Sequence, residues 1–322
     1  MPHCPNCGAE IEEDYLFCPN CGQALRVIPR EPVSFFHLVG RGFRCLLAPI
    51  RSPPPLYRPT DVVYELRPPY SPVRRYLLLG FILGIVGMFL MYGGEWLTYS
   101  GITIVGMVPP VLYFLWMRRN DRYEEEPLGM VLFTIGWGIF IGIFAGVLNE
   151  LLDAILGLGP PIAAFVEEPL KALGIYILAR HRRLGRELND HMDGMVYGAG
   201  AGAGFALMEN FQYIYMNAVK GATPLPFIAG IRAISALGHL IYTGLTGFIL
   251  GYAKAKRGYL VSTDFIAALI PGVILHFLWN ATPGLLSLLI LAPLYLLIFY
   301  RNVRAAQRDE ELWGYRIRAP VE

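Results

Sequence analysis

Charge is what this sequence has least of. Its 322 residues carry 27 Lys and Arg and 25 Asp and Glu, 16% in all, against roughly 25% in a soluble domain. Cysteine is sparse too: there are five, four of them within the first 21 residues. No apolar h-region lies between Met1 and Gln23, so the chain is read as lacking a cleavable signal peptide. A net charge of +2 gives no reason to expect a nucleic-acid partner. These shortages exclude a disordered chain, a disulfide-stapled secreted module and an ordinary soluble enzyme. What is present is hydrophobic: 55% apolar side chains, a mean hydropathy of +0.45, 35 Gly, 19 Tyr and 18 Phe. Glycine suits close helix packing, and aromatic rings suit the headgroup layer. The expected fold class is an all-α polytopic membrane protein, with a small N-terminal zinc ribbon.

The ribbon rests on Cys4-Pro-Asn-Cys7 and Cys18-Pro-Asn-Cys21, each followed by glycine, Gly8 and Gly22. A C-x-x-C pair turns tightly enough to aim both sulfurs at one point, and the glycine permits the left-handed backbone that follows. Two such knuckles supply four thiolates for a structural tetrahedral Zn²⁺ at Cys4, Cys7, Cys18 and Cys21. Two disulfides are the alternative, and they require an oxidising compartment. So small a module has no core without its metal, so folding and zinc binding are one event. Cys45 stands apart and reads as an ordinary apolar position.

Four regions follow: a ribbon over 1–25, an Arg- and Pro-rich linker over 26–75, a membrane domain over 76–300 and a cytoplasmic tail over 301–322. Within the linker, Phe35 to Ile50 mixes apolar residues with Arg41 and Arg44. That pattern fits a basic amphipathic helix on anionic lipid, and fits a strap packed on the membrane domain equally well. Eight apolar segments follow, at about 76–94, 99–117, 128–150, 161–179, 191–217, 226–253, 263–281 and 284–300, each roughly long enough for about 30 Å of hydrocarbon. Arg118, Arg119 and Arg122 follow the second; Arg180, Arg182, Arg183 and Arg186 the fourth; Lys254, Lys256 and Arg257 the sixth; Arg301, Arg304 and Arg308 the eighth. The alternate loops hold little positive charge, Lys220 excepted. The positive-inside rule then places both termini in the cytoplasm, a reducing compartment that favours zinc over disulfides.

Polar groups inside spans are costly, and each is a functional candidate. The fourth segment carries Glu167-Glu168-Pro169-Leu170-Lys171. Glu167 and Lys171 share a helix face and can pair, while Pro169 removes a backbone donor. The fifth has Gly194, Gly198 and Gly202 at four-residue spacing, with Gly200 and Gly204 between them, then Glu209 two turns beyond Gly202 on the same face. The sixth lines up Arg232, Ser235 and His239, followed by Tyr242, Thr243 and Thr246; the seventh puts His276 and Asn280 one turn apart. At 1.5 Å per residue, Glu167 and Glu209 lie about 10–12 Å in from the outer ends, His276 about 8 Å and His239 about 19 Å. These depths place all of them at or outside the midplane, which predicts one site on the extracytoplasmic side.

The order E-E-P-L-K, F-A-L-M-E-N, a His, then H-F-L-W-N resembles the PrsW family of intramembrane proteases and, more distantly, the CAAX prenyl endopeptidases. Asp121-Arg122-Tyr123-Glu124-Glu125-Glu126-Pro127 is similar to the segment preceding that family's core. The resemblance covers about 76–300 and leaves the ribbon and linker as an appended module. It implies catalytic roles for Glu167, Glu168, Glu209, His239, His276 and Asn280. In the related CAAX enzymes the second motif carries His, where this chain has Glu209. The resemblance also implies a membrane-anchored protein as substrate, such as an anti-sigma factor.

The expected chemistry is attack of water on a peptide carbonyl near the extracytoplasmic face. Glu167 would act as general base, Glu168 would orient the water or hold the opposite charge, and Asn280 would stabilise the oxyanion. Arg232 would hold a substrate carbonyl or carboxylate. Two schemes stay open: a catalytic Zn²⁺ on His239, His276 and Glu209, or a metal-free site in which these groups orient the water. Two other classes remain beside the protease: a proton-coupled transporter or channel, since Glu and His in spans also build ion pathways, and a non-catalytic scaffold whose ribbon recruits a cytosolic partner.

Overall fold

The computed structural model describes residues 2–13, 18, 25, 33–55 and 73–313, apart from 125, 158, 182 and 222. Nine helices run through it: α1 (Phe35–Leu47), α2 (Val73–Leu90), α3 (Glu95–Asn120), α4 (Leu128–Leu156), α5 (Ala163–Arg180), α6 (His191–Lys220), α7 (Leu225–Arg257), α8 (Ser262–Ala281) and α9 (Gly284–Leu312), the last containing a π-helical turn at Ser287–Leu291. No strand occurs among the described residues, only an isolated bridge between His3 and Glu10. The protein is an all-α membrane protein. Helices stand at all eight expected positions, and five of them (α3, α4, α7, α8, α9) are long and apolar enough to cross a membrane, with a shorter apolar stretch at Leu78–Leu90. α5 and α6 fall outside that group because they carry the polar residues and the glycines. The eighth helix continues to Leu312, with Asn302, Val303, Ala306, Asp309 and Glu310 buried against the bundle.

α6 and α7 form the centre. Between lipid-facing helices apolar surface gives no net drive, so close backbone approach has to supply the contact. The glycines of α6 do this on two faces. A methyl group on Gly194, Gly198 or Gly202 would strike the α7 backbone at Gly247, Thr243 and His239; one on Gly200 or Gly204 would strike α4 at Thr134 and Ile135. The stripe is therefore a packing device on both sides. Its consequence for function is distance: with α6 pressed onto the backbone of His239, the carboxylate of Glu209 reaches that residue's ring.

α1 packs Leu38, Gly42 and Cys45 inward, with Gly42 against Ile270 and Pro271 of α8. Phe36, Phe43 and Leu47 face outward. Burial pushes the Cys45 thiol up to about 12, so it is an inert apolar filler. At the other end of α6, Asp190 is the N-cap in a reciprocal capping box with Asp193. The connector before α4 lies against this end and brings Glu124 and Glu126 with it. Burial and the neighbouring Asp193 carboxylate push both glutamates above the ordinary carboxylate range.

In the ribbon, Cys4 N–H donates to the carbonyl of Ala9 (2.8 Å) and Gly8 N–H to that of Cys4 (2.9 Å), with Gly8 left-handed at φ 72°. This is the turn the C-x-x-C-G spacing predicts. Cys4, Cys7 and Cys18 bring their sulfurs within 4.8 Å of one another. Cys7 and Cys18 are 3.6 Å apart, beyond a disulfide bond. Cys21 lies outside the described residues.

Candidate active site

The site is built on α5. Consecutive residues point about 100° apart around a helix, so Glu167 and Glu168 serve different neighbours. Glu168 is fully buried and saturated. It accepts from Lys171 Nζ (2.5 Å), Thr243 Oγ1 (3.0 Å) and the Nδ1 side of His276 (2.8 Å). Lys171, expected to pair with Glu167, sits closer to Glu168 and only 3.9 Å from Glu167. The three-residue step lets the ammonium fold back onto the nearer carboxylate, and His239 Nδ1 at 3.1 Å holds it there.

Glu167 is the open member of the pair. Its Oε1 accepts from Asn149 Nδ2 of α4 (2.8 Å). Its Oε2 is buried with no hydrogen-bond donor, its near neighbours being His276 Nε2 at 3.8 Å and Lys171 Nζ at 3.9 Å. His276 thus bonds Glu168 through Nδ1 and turns Nε2 toward Glu167 without bonding it, while its ring stacks on Tyr242 at 5.0 Å. His239 is held at both ring nitrogens: Lys171 on Nδ1, and Glu209 on Nε2 at 2.6 Å. Glu209 pairs in turn with Arg232, whose Nε donates to Asn210 (3.1 Å) and whose guanidinium lies 4.5 Å over the Tyr213 ring. Arg232, expected to hold substrate, is engaged with Glu209. The rings of His239 and His276 have centroids 5.3 Å apart. The 11 Å difference in depth read from the sequence does not survive, because helix ends and tilts move residues along the bundle axis.

Glu167, Glu209, His239, His276 and Asn280 all line one cavity of about 640 Å³. Arg232, Asn149, Tyr213 and Tyr242 line it too, and Glu150, Asp153 and Lys220 share the wall. Asn280 Nδ2 donates to the carbonyl of Pro160 (3.2 Å) at the rim. Glu168 does not line this cavity; it acts through the residues it holds. A larger cavity of about 790 Å³ between α2, α3, α7 and α9 is walled by residues such as Phe81, Leu112, Trp116, Leu240 and Phe299, with no titratable carboxylate or imidazole, and offers no chemistry.

Glu167, His239 and His276 each bring one ligand atom within 4.8 Å of the others. Two imidazoles and a carboxylate suit Zn²⁺, and the donorless Glu167 Oε2 is the kind of atom an ion would satisfy. The Glu168–His276 bond is the carboxylate–imidazole support typical behind a metal-bound histidine. The donor set therefore fits a metal, with Glu167 in the place expected for Glu209. His239 would have to exchange its bond to Glu209 for the ion. One contributor, Asn149, is not among the residues the sequence singles out, and for two that are, Tyr242 and Thr243, the sequence does not give the partner. Asn149 carries a usable signal, a polar residue near the end of an otherwise apolar span. The partners of Thr243, which bonds Glu168, and of Tyr242, which stacks on His276, have no such signal, since both contacts cross between helices.

A family model described as PrsW family intramembrane metalloprotease matches residues 126–305, and a zinc-ribbon domain model matches 3–25. Among curated proteins, the chain is similar to Protease PrsW of Clostridioides difficile, 27% identical over 188 residues, covering 54% of this chain and 75% of the relative. It is similar to that of Geobacillus kaustophilus at 28% over 171 residues (50% and 72%). It is also similar to that of Halalkalibacterium halodurans at 26% over 223 residues (64% and 95%). No solved structure matches the chain.

Proposed function

The chain belongs to the PrsW family of intramembrane metalloproteases, and from that premise we propose that it cleaves a membrane-anchored protein by attack of water held at Glu167. The observation that carries this reading is Glu167 Oε2, a buried carboxylate oxygen without a donor, in a cavity that also presents His276 Nε2 at 3.8 Å. Asn149 fixes the other oxygen, so Oε2 is the atom aimed to take the proton of the water and return it to the leaving amine. Glu168 is a positioning residue: it orients His276 and neutralises Lys171. Lys171 and Glu209 hold His239 between them, and Asn280 at the rim supplies an amide donor for the oxyanion. In the zinc scheme Glu167, His239 and His276 would hold a Zn²⁺, which would supply Lewis acidity toward the scissile carbonyl and the water; Glu167 Oε2 would then be a ligand, and its role as base belongs to the metal-free scheme.

The basic residues cluster at or just beyond the C-terminal ends of α3, α5 and α7 and in the C-terminal half of α9, while Glu167 lies near the start of α5 and Glu209 in the second half of α6. The positive-inside rule then puts both termini in the cytoplasm and the cavity toward the extracytoplasmic face. Cys4, Cys7, Cys18 and Cys21 hold one structural zinc on the cytoplasmic side, where the ribbon is free to meet a cytosolic partner. The ribbon, linker, membrane domain and tail divide as 1–25, 26–75, 76–300 and 301–322.

The test compares cleavage of a panel of single-span substrates by purified wild type and Glu167→Gln, with zinc measured on the same samples. The expected result is cleavage lost in the variant; one zinc more than the ribbon's, in wild type only, would make Glu167 a ligand of that zinc. Cleavage lost with a single zinc in both would move the site to the metal-free scheme. Unchanged cleavage by Glu167→Gln would remove Glu167 as base.

A further inference from the structure

A second cluster of buried acids lies at the opposite end of α6. Asp190 is 19 residues from Glu209, about 28 Å along a helix, so the two sites share no side chain. Glu124 and Glu126 come from the connector before α4, Asp190 and Asp193 from the first turn of α6, and Glu310 from the last turn of α9. All five are 0–3% exposed. Glu124, Asp190 and Asp193 bring one carboxylate oxygen each within 4.8 Å of the others.

The hydrogen bonds of the four leading residues share one pattern. One oxygen of each carboxylate is fixed by donors. Asn189 Nδ2 donates to Glu124 Oε1 (3.4 Å) and the Tyr197 hydroxyl to Glu126 Oε2. The backbone N–H groups of Met192 and Asp193 donate to Asp190 Oδ1 (2.7 and 3.2 Å). Those of Asn189 and Asp190 donate to Asp193 Oδ2 (2.7 and 2.9 Å). The second oxygen of each (Glu124 Oε2, Glu126 Oε1, Asp190 Oδ2 and Asp193 Oδ1) is buried with no donor, as are both oxygens of Glu310. Among the described residues no Lys or Arg nitrogen pairs with any of the five. Nearby Lys and Arg are committed elsewhere, Lys254 to the carbonyls of Ala179 and Gly185 and Arg51 to Asp309; His191 faces Asp309 through Nε2 and has Nδ1 3.8 Å from Asp190 Oδ1, the oxygen of that residue already satisfied by backbone N–H groups.

Buried carboxylates without counter-charge are expensive. Here the satisfied oxygens pin each side chain, and Glu124, Asp190 and Asp193 are pinned with one oxygen each within 4.8 Å of the others. Oxygen-only donors from three or more carboxylates are the chemistry of a hard divalent cation. We propose that Glu124, Asp190 and Asp193, with Glu126 and Glu310 beside them, bind one cation of the Ca²⁺ or Mg²⁺ class. The site ties the α3–α4 connector to the N-terminus of α6, and is separate from both the ribbon and the Glu167 cavity. The rival state is one in which the carboxylates share protons and bind no ion.

Equilibrium dialysis of the purified full-length protein at neutral pH, against radioactive Ca²⁺ and separately against Mn²⁺ as the stand-in for Mg²⁺, decides between them. Wild type and Glu167→Gln should each take up one equivalent of at least one of these cations that Glu124→Gln and the double variant Glu124→Gln/Asp190→Asn do not. That cation should raise the thermal midpoint of wild type and of Glu167→Gln only. Unchanged zinc content in the Glu124→Gln and double variants, and a single elution peak from every variant, show that they are folded, and the near-isosteric single variant stands if the double one is not. The proposal fails if wild type takes up neither cation, if the folded variants take up as much as wild type, or if Glu167→Gln loses the uptake.

Discussion

The two ends of α6 handle buried charge in opposite ways. Around Glu209 and Glu167 almost every carboxylate has a cation or an N–H of its own: Lys171 on Glu168, Arg232 and His239 on Glu209, Asn149 on one oxygen of Glu167. One oxygen, Glu167 Oε2, is left over, and it faces the cavity. Around Asp190 the balance is reversed: Glu124, Glu126, Asp190, Asp193 and Glu310 are buried with six donorless oxygens among them. A site for proton transfer needs one uncommitted atom in a framework that holds still. A site for an ion needs several, converging. The count of unsatisfied oxygens thus separates the two better than the count of acidic residues does.

The comparison breaks first at Glu167. Glu167→Gln keeps the Asn149 contact and the shape, so cleavage should fall by about 10²–10⁴-fold while the thermal midpoint stays close to wild type; a turnover assay and a melting curve on one sample check both. Lys171→Met goes further into the framework. It strips the internal cation from Glu168 and His239, and leaving a buried charge unpaired costs about 3–5 kcal/mol. The expected outcome is a large drop in midpoint together with lost activity, and a midpoint unmoved by Lys171→Met would show that Glu168 is not held as an anion.

At the acidic end a stabilising ligand replaces a destabilising mutation. With Ca²⁺ or Mg²⁺ at 100 times its dissociation constant, wild type should gain about 2.7 kcal/mol, and Glu124→Gln nothing. The smallest effect expected is at the crossing that sets the Glu209–His239 distance. Gly202→Ala forces a methyl against the His239 carbonyl, and such overpacking costs about 1–3 kcal/mol. Its activity should fall more than its stability explains, since the helices separate at the site; activity tracking stability alone would detach the glycine stripe from catalysis.

Much of the first site was legible because a charged residue in an apolar span stands out. Glu167, Glu168, Glu209, His239 and His276 each interrupt a hydrophobic run, and their order along four helices carries the family resemblance. Asn149 interrupts one too, yet at a span end it reads as an ordinary interfacial residue. The acidic end was not legible as a site. Asp121 to Glu126 and Asp190 to Asp193 lie in connectors and first turns, where acids are expected on solvated surface or as helix caps. Nothing in the linear pattern says that they are buried together.

The sequence by itself determined the class of the protein, the rough position of its long apolar helices, the zinc-ribbon spacing and the residues bearing intramembrane charge. Each follows from local chemistry, that is, from hydrophobic length, residue type and short-range spacing. Only the tertiary structure decided which partner each charge takes: Lys171 on Glu168 and not chiefly on Glu167, Arg232 on Glu209, and Glu167 in the metal-capable trio with the two histidines. Partner choice depends on distances of a few ångströms between helices, and those are set by how closely glycine lets α6 approach α7 and α4. Spacing along one chain carries no record of that approach.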